Sequence, residues 1–566
     1  MVTYAQLSDL RPAEFEEAAD GWHKVSSAAG HAVDRLNHKI TAGIRESLEG
    51  KGSNAALERL TRLSDNFQYT QTECGLIRSA LNDLAGDLRA AKKKLDDAVD
   101  EAREAGFQVG PDGSVQWTDE EDEEAEAKKR KAQEYADRIG DALSNATKAD
   151  RTWARVLRGL KARNDLDVID ADWADMGKDT KAVRDSLGGD LPRSDIPKGT
   201  SPRENAAWWK SLTDEQRAEY LTLYPAAIGA LDGLPATVRD DANRTILAAK
   251  TGALELEIPP EPKKYGTGAQ GHKYTTAEWN AWYEKCGKRH AQLKGMRAIE
   301  ARFDETGENG LPEAYLLGFD PTGDGRAIIA NGNPDTADHT AVYVPGTGSN
   351  LGNIGDGIDR TTDLWQSSQL LADGEKVSTI TWYGYDAPDS AYTDAPYGHY
   401  ADDGAPAFNR FMTGLETSHA PGSDSHTTVV AHSYGTTLVG SAARQGDLHA
   451  DDIIFAGSPG VQVEHATDLD VPKGHVWNEE AQGDPVPDIG RFGHGHPGDT
   501  GGFLTPSHPD FGANQMTTDT QGHSGYWEPG SESLRNQAAV VTGNYDDVQT
   551  KDDRENSWPR TGHPSA

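Results

Sequence analysis

The run Thr427-Thr428-Val429-Val430-Ala431-His432-Ser433-Tyr434-Gly435-Thr436-Thr437-Leu438-Val439-Gly440 admits few backbones. Its first half is β-branched and apolar, which suits a strand buried on both faces. Its second half is small and apolar at a spacing that suits a helix. Between the halves stands Ser433, with Ala431 and Gly435 two positions away on either side. A serine held on so sharp a strand-to-helix turn occupies a strained backbone, and bulk at either flanking position would collide with the turn. The expectation is a strand, an elbow that presents a hydroxyl, and a helix. A buried serine in an ordinary turn is the bland alternative, and the strand–elbow–helix context weighs against it.

Such a strand needs a sheet around it. Short β-branched runs at 314–319, 326–330, 340–344, 377–382, 427–432, 452–456 and 475–478 alternate with turns and helical segments. Apolar strands separated by helices predict a mostly parallel sheet covered on both faces, an α/β domain. Helical segments precede it, through Trp208-Trp209 to Ala249 and again over 277–303.

The first part of the chain follows another period. From Leu60 the apolar positions step by three and four through Leu63, Phe67, Thr70, Cys74, Ile77, Leu81, Leu84, Leu88, Ala91, Leu95, Ala98 and Ala102. That is a heptad seam, and it demands a partner helix. Phe15, Ala18, Trp22, Val25, Ala29, Ala32 and Leu36 share the spacing, and Ile40 and Ile44 then shift the phase. Gly50-Lys51-Gly52 would let the chain reverse, which predicts an antiparallel helical hairpin. Phe107 to Val115 reads as a short β-hairpin around a Pro-Asp-Gly turn. Acidic residues at 119–126 then open a third helix, where they complement its dipole. Its apolar face carries Tyr135, Ile139, Ala142, Ala146, Ala149, Trp153, Val156 and Leu160. The expected organisation is a helical domain over 1–187, a polar linker over 188–202, an α/β domain with leading helices over 203–543, and a disordered tail over 544–566.

Composition narrows the function. Two domains or more are expected of 566 residues. Lys and Arg number 56 against 92 Asp and Glu, a net charge of −36. A field of that sign repels phosphate backbones, so nucleic acid is not an expected partner. Two cysteines, Cys74 and Cys286, exclude a disulfide framework and a cysteine-based zinc site. Met1-Val2-Thr3-Tyr4-Ala5-Gln6 lacks the features of a secretory signal, and no apolar run is long enough to cross a bilayer. A cytoplasmic location is the default expectation.

An elbow serine needs a base and an orienting acid, which follow it in the order serine, acid, histidine. The strand at 475–478 leads into Glu479-Glu480-Ala481-Gln482-Gly483-Asp484-Pro485-Val486-Pro487-Asp488, where Asp484 is the best-placed acid and Asp488 and Glu480 are rivals. Gly522-His523-Ser524-Gly525-Tyr526-Trp527 stands just before the last helical segment, which nominates His523 as the base. His432 sits inside the elbow with its ring directed away from the serine hydroxyl, a poor position for a base. His494 and His496 lack carboxylates at ligand spacing, so neither a metal nor a cofactor is expected. The oxyanion of an acyl-transfer intermediate needs preorganised donors. One is the N–H of Tyr434; the other comes from Val344-Pro345-Gly346-Thr347-Gly348-Ser349, at Thr347 or Gly348. No lysine follows that loop as a phosphate-binding loop requires. Tyr383, Tyr385, Trp527 and the Trp208-Trp209 pair are candidate linings for an apolar acyl pocket, and the aperiodic segment 385–400 is a candidate lid.

Residues 205–543 resemble an actinobacterial α/β-hydrolase family of unknown function. The resemblance is carried by Ile228-Gly229-Ala230-Leu231-Asp232-Gly233-Leu234-Pro235 with Arg239 and Asn243-Arg244, and by Val344-Pro345-Gly346-Thr347-Gly348. It is carried further by Trp382-Tyr383-Gly384-Tyr385-Asp386-Ala387-Pro388, His432-Ser433-Tyr434-Gly435 and His523-Ser524-Gly525-Tyr526-Trp527. The family's usual glycine before the His-Ser pair is Ala431 here. The family is similar to esterases and lipases, which implies an α/β-hydrolase fold and a triad at Ser433, Asp484 and His523. The N-terminal hairpin also looks like the WxG-type hairpins of type VII secretion, with Leu48-Glu49-Gly50 where that motif would fall. That likeness implies export as the alternative to the cytoplasm, although the only Tyr-x-x-x-Glu near it, Tyr69 to Glu73, falls inside a helix.

The expected activity is hydrolysis of a small or lipid-like ester through an acyl-enzyme. A catalytically silent hydrolase scaffold serving as a binding or type VII secretion-associated module, docking a protein partner or a second copy through its helical arm, is the rival expectation.

Overall fold

The computed structural model describes residues 1–41, 44, 51–117, 125–161, 167–187, 193–199, 201–268, 272–420, 425–497 and 503–551. The chain divides into two compact units. The first comprises Met1–Leu36, Glu58–Asp195 and Asp214–Tyr224, and the second Asn37–Leu57, Ile196–Thr213 and Pro225–Ala566.

The first unit is built on helices α1 (Ala13–Arg35), α2 (Lys51–Glu104, which belongs to it from Glu58 onward), α3 (Ala125–Gly159) and α4 (Asp170–Ser186). Ala, Leu, Lys, Arg and Glu dominate α2, and these residues lose little freedom in a helix. Its expected seam is buried at Cys74, Leu84, Leu88, Ala91, Leu95, Ala98 and Ala102, half-buried at Leu60, Phe67, Thr70, Ile77 and Leu81, and fails at Leu63, which is exposed. The expected face of α3 is buried throughout, and Trp153 donates to Asp87 at 3.0 Å. The expected face of α1 needs correcting. Ala18 is exposed, and Trp22 and Val25 are 39% and 45% exposed; Ala29 and Leu36 are buried as expected, and Ala19, outside the expected set, is buried with them. Small residues let this helix approach closely: Ser26 donates to the Gln71 carbonyl at 2.7 Å, and Gly30 lies against the Gln71 side chain. The phase shift at Ile40 coincides with a π-helical turn over Leu36–Thr41, which inserts a residue into the repeat. Lys51 and Gly52 are helical, so they are not the reversal. Gly50, and with it Leu48-Glu49-Gly50, lies outside the described residues, as does most of the acidic run at 119–126. The predicted β-hairpin is present, pairing Gln108 with Gln116 and Val109 with Val115.

The second unit holds an eight-stranded sheet. Its strands are β1 (Ala314–Asp320), β2 (Arg326–Asn331), β3 (His339–Val344), β4 (Val377–Tyr383), β5 (His426–His432), β6 (Asp452–Ala456), β7 (Val476–Glu479) and β8 (Asn514–Gln515). They lie in the order β8-β7-β6-β5-β3-β4-β2-β1. β2 runs antiparallel to both neighbours, and every other pair is parallel. Seven strands stand where the apolar runs place them, to within a residue at either end.

Alternate residues of one strand serve two cores. Tyr343, Val430 and Ile454 join the layer containing helices α5 (Ala236–Glu257), α6 (Ala277–Asp304), α7 (Ile354–Leu371) and α11 (Glu532–Val541). Val342, Val429, Ala431 and Phe455 join the layer containing α8 (His399–Ser418) and α9 (Tyr434–Gln445). Helix α10 (Val486–His494) follows the loop after β7. Residues 544–551, expected in a disordered tail, are folded. Val548 is buried, the Tyr545 hydroxyl donates to Asp452 at 2.7 Å, and Thr550 bridges to Met516. The rest of that tail lies outside the described residues. Among the described residues, no helix is long and apolar enough to cross a membrane.

Candidate active site

The elbow forms where β5 ends and α9 begins. Ser433 has φ 55° and ψ −130°, a conformation that costs a non-glycine residue about 1–3 kcal/mol. Packing holds it there: Ser433 N–H donates to the Ala456 carbonyl of β6 at 3.0 Å, and Thr436 N–H and Oγ1 both return to the Ser433 carbonyl. Small flanking residues are required, as expected. A Cβ on Gly435 would stand 2.4 Å from the Val344 carbonyl oxygen. Gly346 is pressed as closely from the facing loop, where a Cβ would stand 2.7 Å from Ser433 Cβ and 2.9 Å from Tyr434 N. The glycine-rich loop after β3 therefore covers the elbow directly.

The expected acid and histidine meet. His523 Nδ1 stands 3.0 and 2.9 Å from the two Asp484 carboxylate oxygens. Asp488 lies in the first turn of α10, and the imidazole pairs with Asp484 rather than with Asp488 or Glu480. Asp484 is 5% exposed and also accepts from the Tyr526 hydroxyl at 2.6 Å and from Val486 N–H at 2.9 Å. Burial pushes its carboxyl upward, but the bonds from His523, Tyr526 and Val486 outweigh burial and hold it below the usual carboxylate range. A carboxylate that stays ionised keeps the His523 Nδ1–H tautomer and leaves Nε2 free to take a proton. Among the described residues no hydrogen bond joins the Ser433 hydroxyl to His523. The two residues are connected through His432, whose Nε2 stands 2.7 Å from the His523 carbonyl oxygen.

Of the expected oxyanion donors, Tyr434 supplies the first N–H of α9, where a helix leaves its N–H groups unpaired. Gly348 does not suit the role, because its N–H is already bonded to the Pro388 carbonyl at 2.7 Å. Thr347 remains. Of the residues nominated for an acyl pocket, Trp209 is buried and Trp208 half-buried. Tyr383, Tyr385 and Trp527 are all buried. Tyr385 donates to the Pro345 carbonyl at 2.9 Å, so with Pro388 it braces the glycine-rich loop. Trp527 packs edge-on against Tyr343 and His432.

The segment 385–400 hangs over the first turn of α9. The Tyr434 hydroxyl donates to the Tyr397 carbonyl at 2.6 Å, and His494 Nε2 donates to the Ala395 carbonyl at 2.5 Å. His494 is buried against the Tyr434 ring, and burial lowers its pKa. Tyr526 was the partner sequence reasoning missed. Its signal was a phenol three residues after the histidine, in the motif already singled out.

The strand order, the elbow between β5 and α9, and a histidine–carboxylate pair on the loops beyond β7 and β8 define an α/β-hydrolase domain. A family profile described as alpha/beta hydrolase matches residues 320–494, which include Ser433 and Asp484 and stop short of His523. The uncharacterized protein Rv2079 of Mycobacterium tuberculosis is 32% identical over 389 residues, covering 62% of this chain and 57% of the relative. This chain therefore spans little more than half the length of that relative. The uncharacterized proteins Rv0963c of Mycobacterium tuberculosis and Mb0988c of Mycobacterium bovis are each 30% identical over 228 residues, covering 38% of this chain and 84% of the relative. The chain belongs to an α/β-hydrolase family together with these mycobacterial relatives.

Proposed function

We propose that the chain is a serine hydrolase that cleaves carboxylic esters of a small or lipid-like substrate through an acyl-enzyme. The observation that carries this reading is the elbow geometry of Ser433 together with the His523–Asp484 pair. The Ser433 hydroxyl would turn toward His523 as substrate binds and give its proton to Nε2 while Oγ attacks the acyl carbon. The oxyanion would form against the N–H groups of Tyr434 and Thr347, where one donor is worth about 3–4 kcal/mol. The bond to the alkoxide then breaks, and His523 passes the proton to the departing alcohol. Water repeats the sequence and frees the acid. Asp484 remains ionised throughout and holds the imidazole in register.

A fluorophosphonate probe tests this directly. The wild-type chain should be labelled and should turn over p-nitrophenyl esters. Ser433→Ala should lose labelling and several powers of ten in turnover at an unchanged melting temperature. Equal labelling of the two proteins would remove the assignment. A graded series of acyl chain lengths would then define the substrate.

A further inference from the structure

We infer that His432, the residue before the nucleophile, is a positioning residue that ties the main chain of His523 to the nucleophile strand, and that Arg360 fixes the tautomer in which it does so. This inference rests on the serine-hydrolase reading and assigns a second task within that site.

The need for such a tie follows from the connections of His523. On one side it is bound to the acid's loop: Nδ1 meets Asp484, Gly522 N–H donates to the Gln482 carbonyl at 3.0 Å, and Gln521 bridges to Gln482. Those bonds set base against acid. They do not set base against nucleophile. Among the described residues, the one hydrogen bond between His523 and β5 is the 2.7 Å contact from His432 Nε2 to the His523 carbonyl. The two imidazole rings lie beside it with centroids 4.6 Å apart and their planes tilted by 33°.

The direction of that bond is forced. A carbonyl oxygen only accepts, so His432 Nε2 must carry hydrogen. Across the ring, Arg360 Nη1 lies 3.5 Å from Nδ1, and a guanidinium only donates, so Nδ1 must present its lone pair. At 3.5 Å the contact is long, and Arg360 is anchored independently by its bond to the Tyr343 hydroxyl and by the Trp527 face 4.8 Å away. Two one-way partners thus select the neutral ring with hydrogen on Nε2. Burial, followed by the nearby His523 and Arg360, holds His432 well below its ordinary pKa, which keeps the ring neutral. Tyr526 and Trp527 complete the enclosure.

Losing the tie should let the base drift from the nucleophile while leaving the substrate-binding surface intact. A misplacement near 1 Å can cost about 100-fold, so His432→Phe should lower kcat and the fluorophosphonate labelling rate by about 30-fold or more with KM within about twofold. Gln offers an amide N–H near the position of Nε2, so His432→Gln should recover most of that loss. Arg360→Met, which removes one of the two groups that select the tautomer and keeps the ring, should fall between. The readouts are p-nitrophenyl acetate turnover, labelling rate and melting temperature, all on the full chain. Wild-type kcat in folded His432→Phe overturns the inference, as does His432→Gln no better than His432→Phe at equal melting temperature. If His432→Phe does not fold, His432→Gln and Arg360→Met decide: an Arg360→Met kcat equal to wild type overturns the tautomer assignment. Labelling that survives Ser433→Ala overturns the hydrolase reading and this inference with it. Labelling that depends on Ser433 but is indifferent to His432 overturns this inference alone.

Discussion

Nε2 of His426 stands 2.9 Å from the Asp452 carboxylate, and its Nδ1 stands 3.0 Å from the Val541 carbonyl. With an acceptor at each nitrogen, this ring is fully bonded only as an imidazolium. Burial works against the charge, but the bonds to Asp452 and Val541 outweigh it and raise the His426 pKa. The pair joins the first residues of β5 and β6 to the end of α11. His475, Trp477 and Tyr545 converge on the same carboxylate at 3.0, 2.7 and 2.7 Å. Because the folded pKa of His426 is raised, its contribution to stability is complete below its unfolded value of about 6.5 and is lost as pH rises through the folded value. Asp452 is depressed, so its contribution is present above about 3.9 and is lost as pH falls through the folded value. Stability from this pair should therefore be greatest between those limits. Asp452→Asn should cost about 1–3 kcal/mol, since it leaves a half-buried cation without its carboxylate and removes an acceptor shared with His475, Trp477 and Tyr545. Urea unfolding at pH 5.5 measures this, and a loss under 1 kcal/mol would show that the pair contributes little.

That cluster also shows where sequence reading reaches its limit. The seven longer strands are legible because a parallel sheet covered on both faces writes each strand as a continuous apolar run: Val429 and Ala431 serve one core, and Val430 the other. Two residues at Asn514–Gln515 carry no period and leave no signal. Residues 544–551 look like tail because they are charged and aperiodic, yet Tyr545 and Val548 bind through a single phenol and a single valine. The face of α1 is misread for a related reason. Trp22 and Val25 dominate a hydrophobicity pattern, while close approach selects Ala19, Ser26 and Gly30. At the site, Ser433, Asp484 and His523 are legible from spacing and order. Tyr526 leaves only the signal of a phenol three residues after the histidine, and Gly457 and the 2.7 Å tie from His432 leave none, because each acts across a tertiary approach.

Ser433 itself should be a stability liability. Its strained conformation costs about 1–3 kcal/mol, whereas placing glycine there costs about 0.5–1 kcal/mol in chain entropy. The strain term wins. Ser433→Gly should therefore unfold at or above the wild-type midpoint, by about 1 kcal/mol, while losing all probe labelling. Calorimetry that placed the variant well below wild type would mean that the elbow is not strained.

Gly457 guards the histidine–carboxylate pair. Its φ is +59°, and a Cβ there would stand 2.6 Å from Asp484 Oδ2 and 3.0 Å from His523 Nδ1. Gly457→Ala must therefore displace the pair as well as strain the backbone, since the obstructing atoms belong to groups fixed by Tyr526 and Val486. On the proposed serine-hydrolase reading, p-nitrophenyl ester turnover should fall about 100-fold as His523 is misplaced, with a stability loss of about 1–3 kcal/mol. Turnover within threefold of wild type would show that the Asp484–His523 contact is not needed in its present geometry.

The alkaline limit of the fold should report a different carboxyl. Glu479, the last residue of β7, is fully buried and accepts from Ser533 at 2.8 Å and Gln537 at 3.0 Å through Oε2. Its Oε1 is buried without a hydrogen-bond partner, which a protonated acid tolerates better than an anion does. Burial, only partly offset by the Ser533 and Gln537 bonds, pushes the group up to about 8. A carboxyl with a raised folded pKa contributes stability that is complete below its unfolded value near 4.5 and is lost as pH rises through 8. A shift of that size corresponds to a few kcal/mol. Glu479→Gln keeps an acceptor for Ser533 and Gln537 and cannot ionise. Its amide nitrogen takes the place of the unpartnered oxygen, so the variant should be no more stable than wild type at pH 5. By pH 9 it should be the more stable of the two, by a few kcal/mol. His426 loses its own contribution in both proteins, so the difference between the two curves isolates Glu479. Parallel curves from pH 5 to pH 9 would mean that this carboxyl is already ionised in the folded chain.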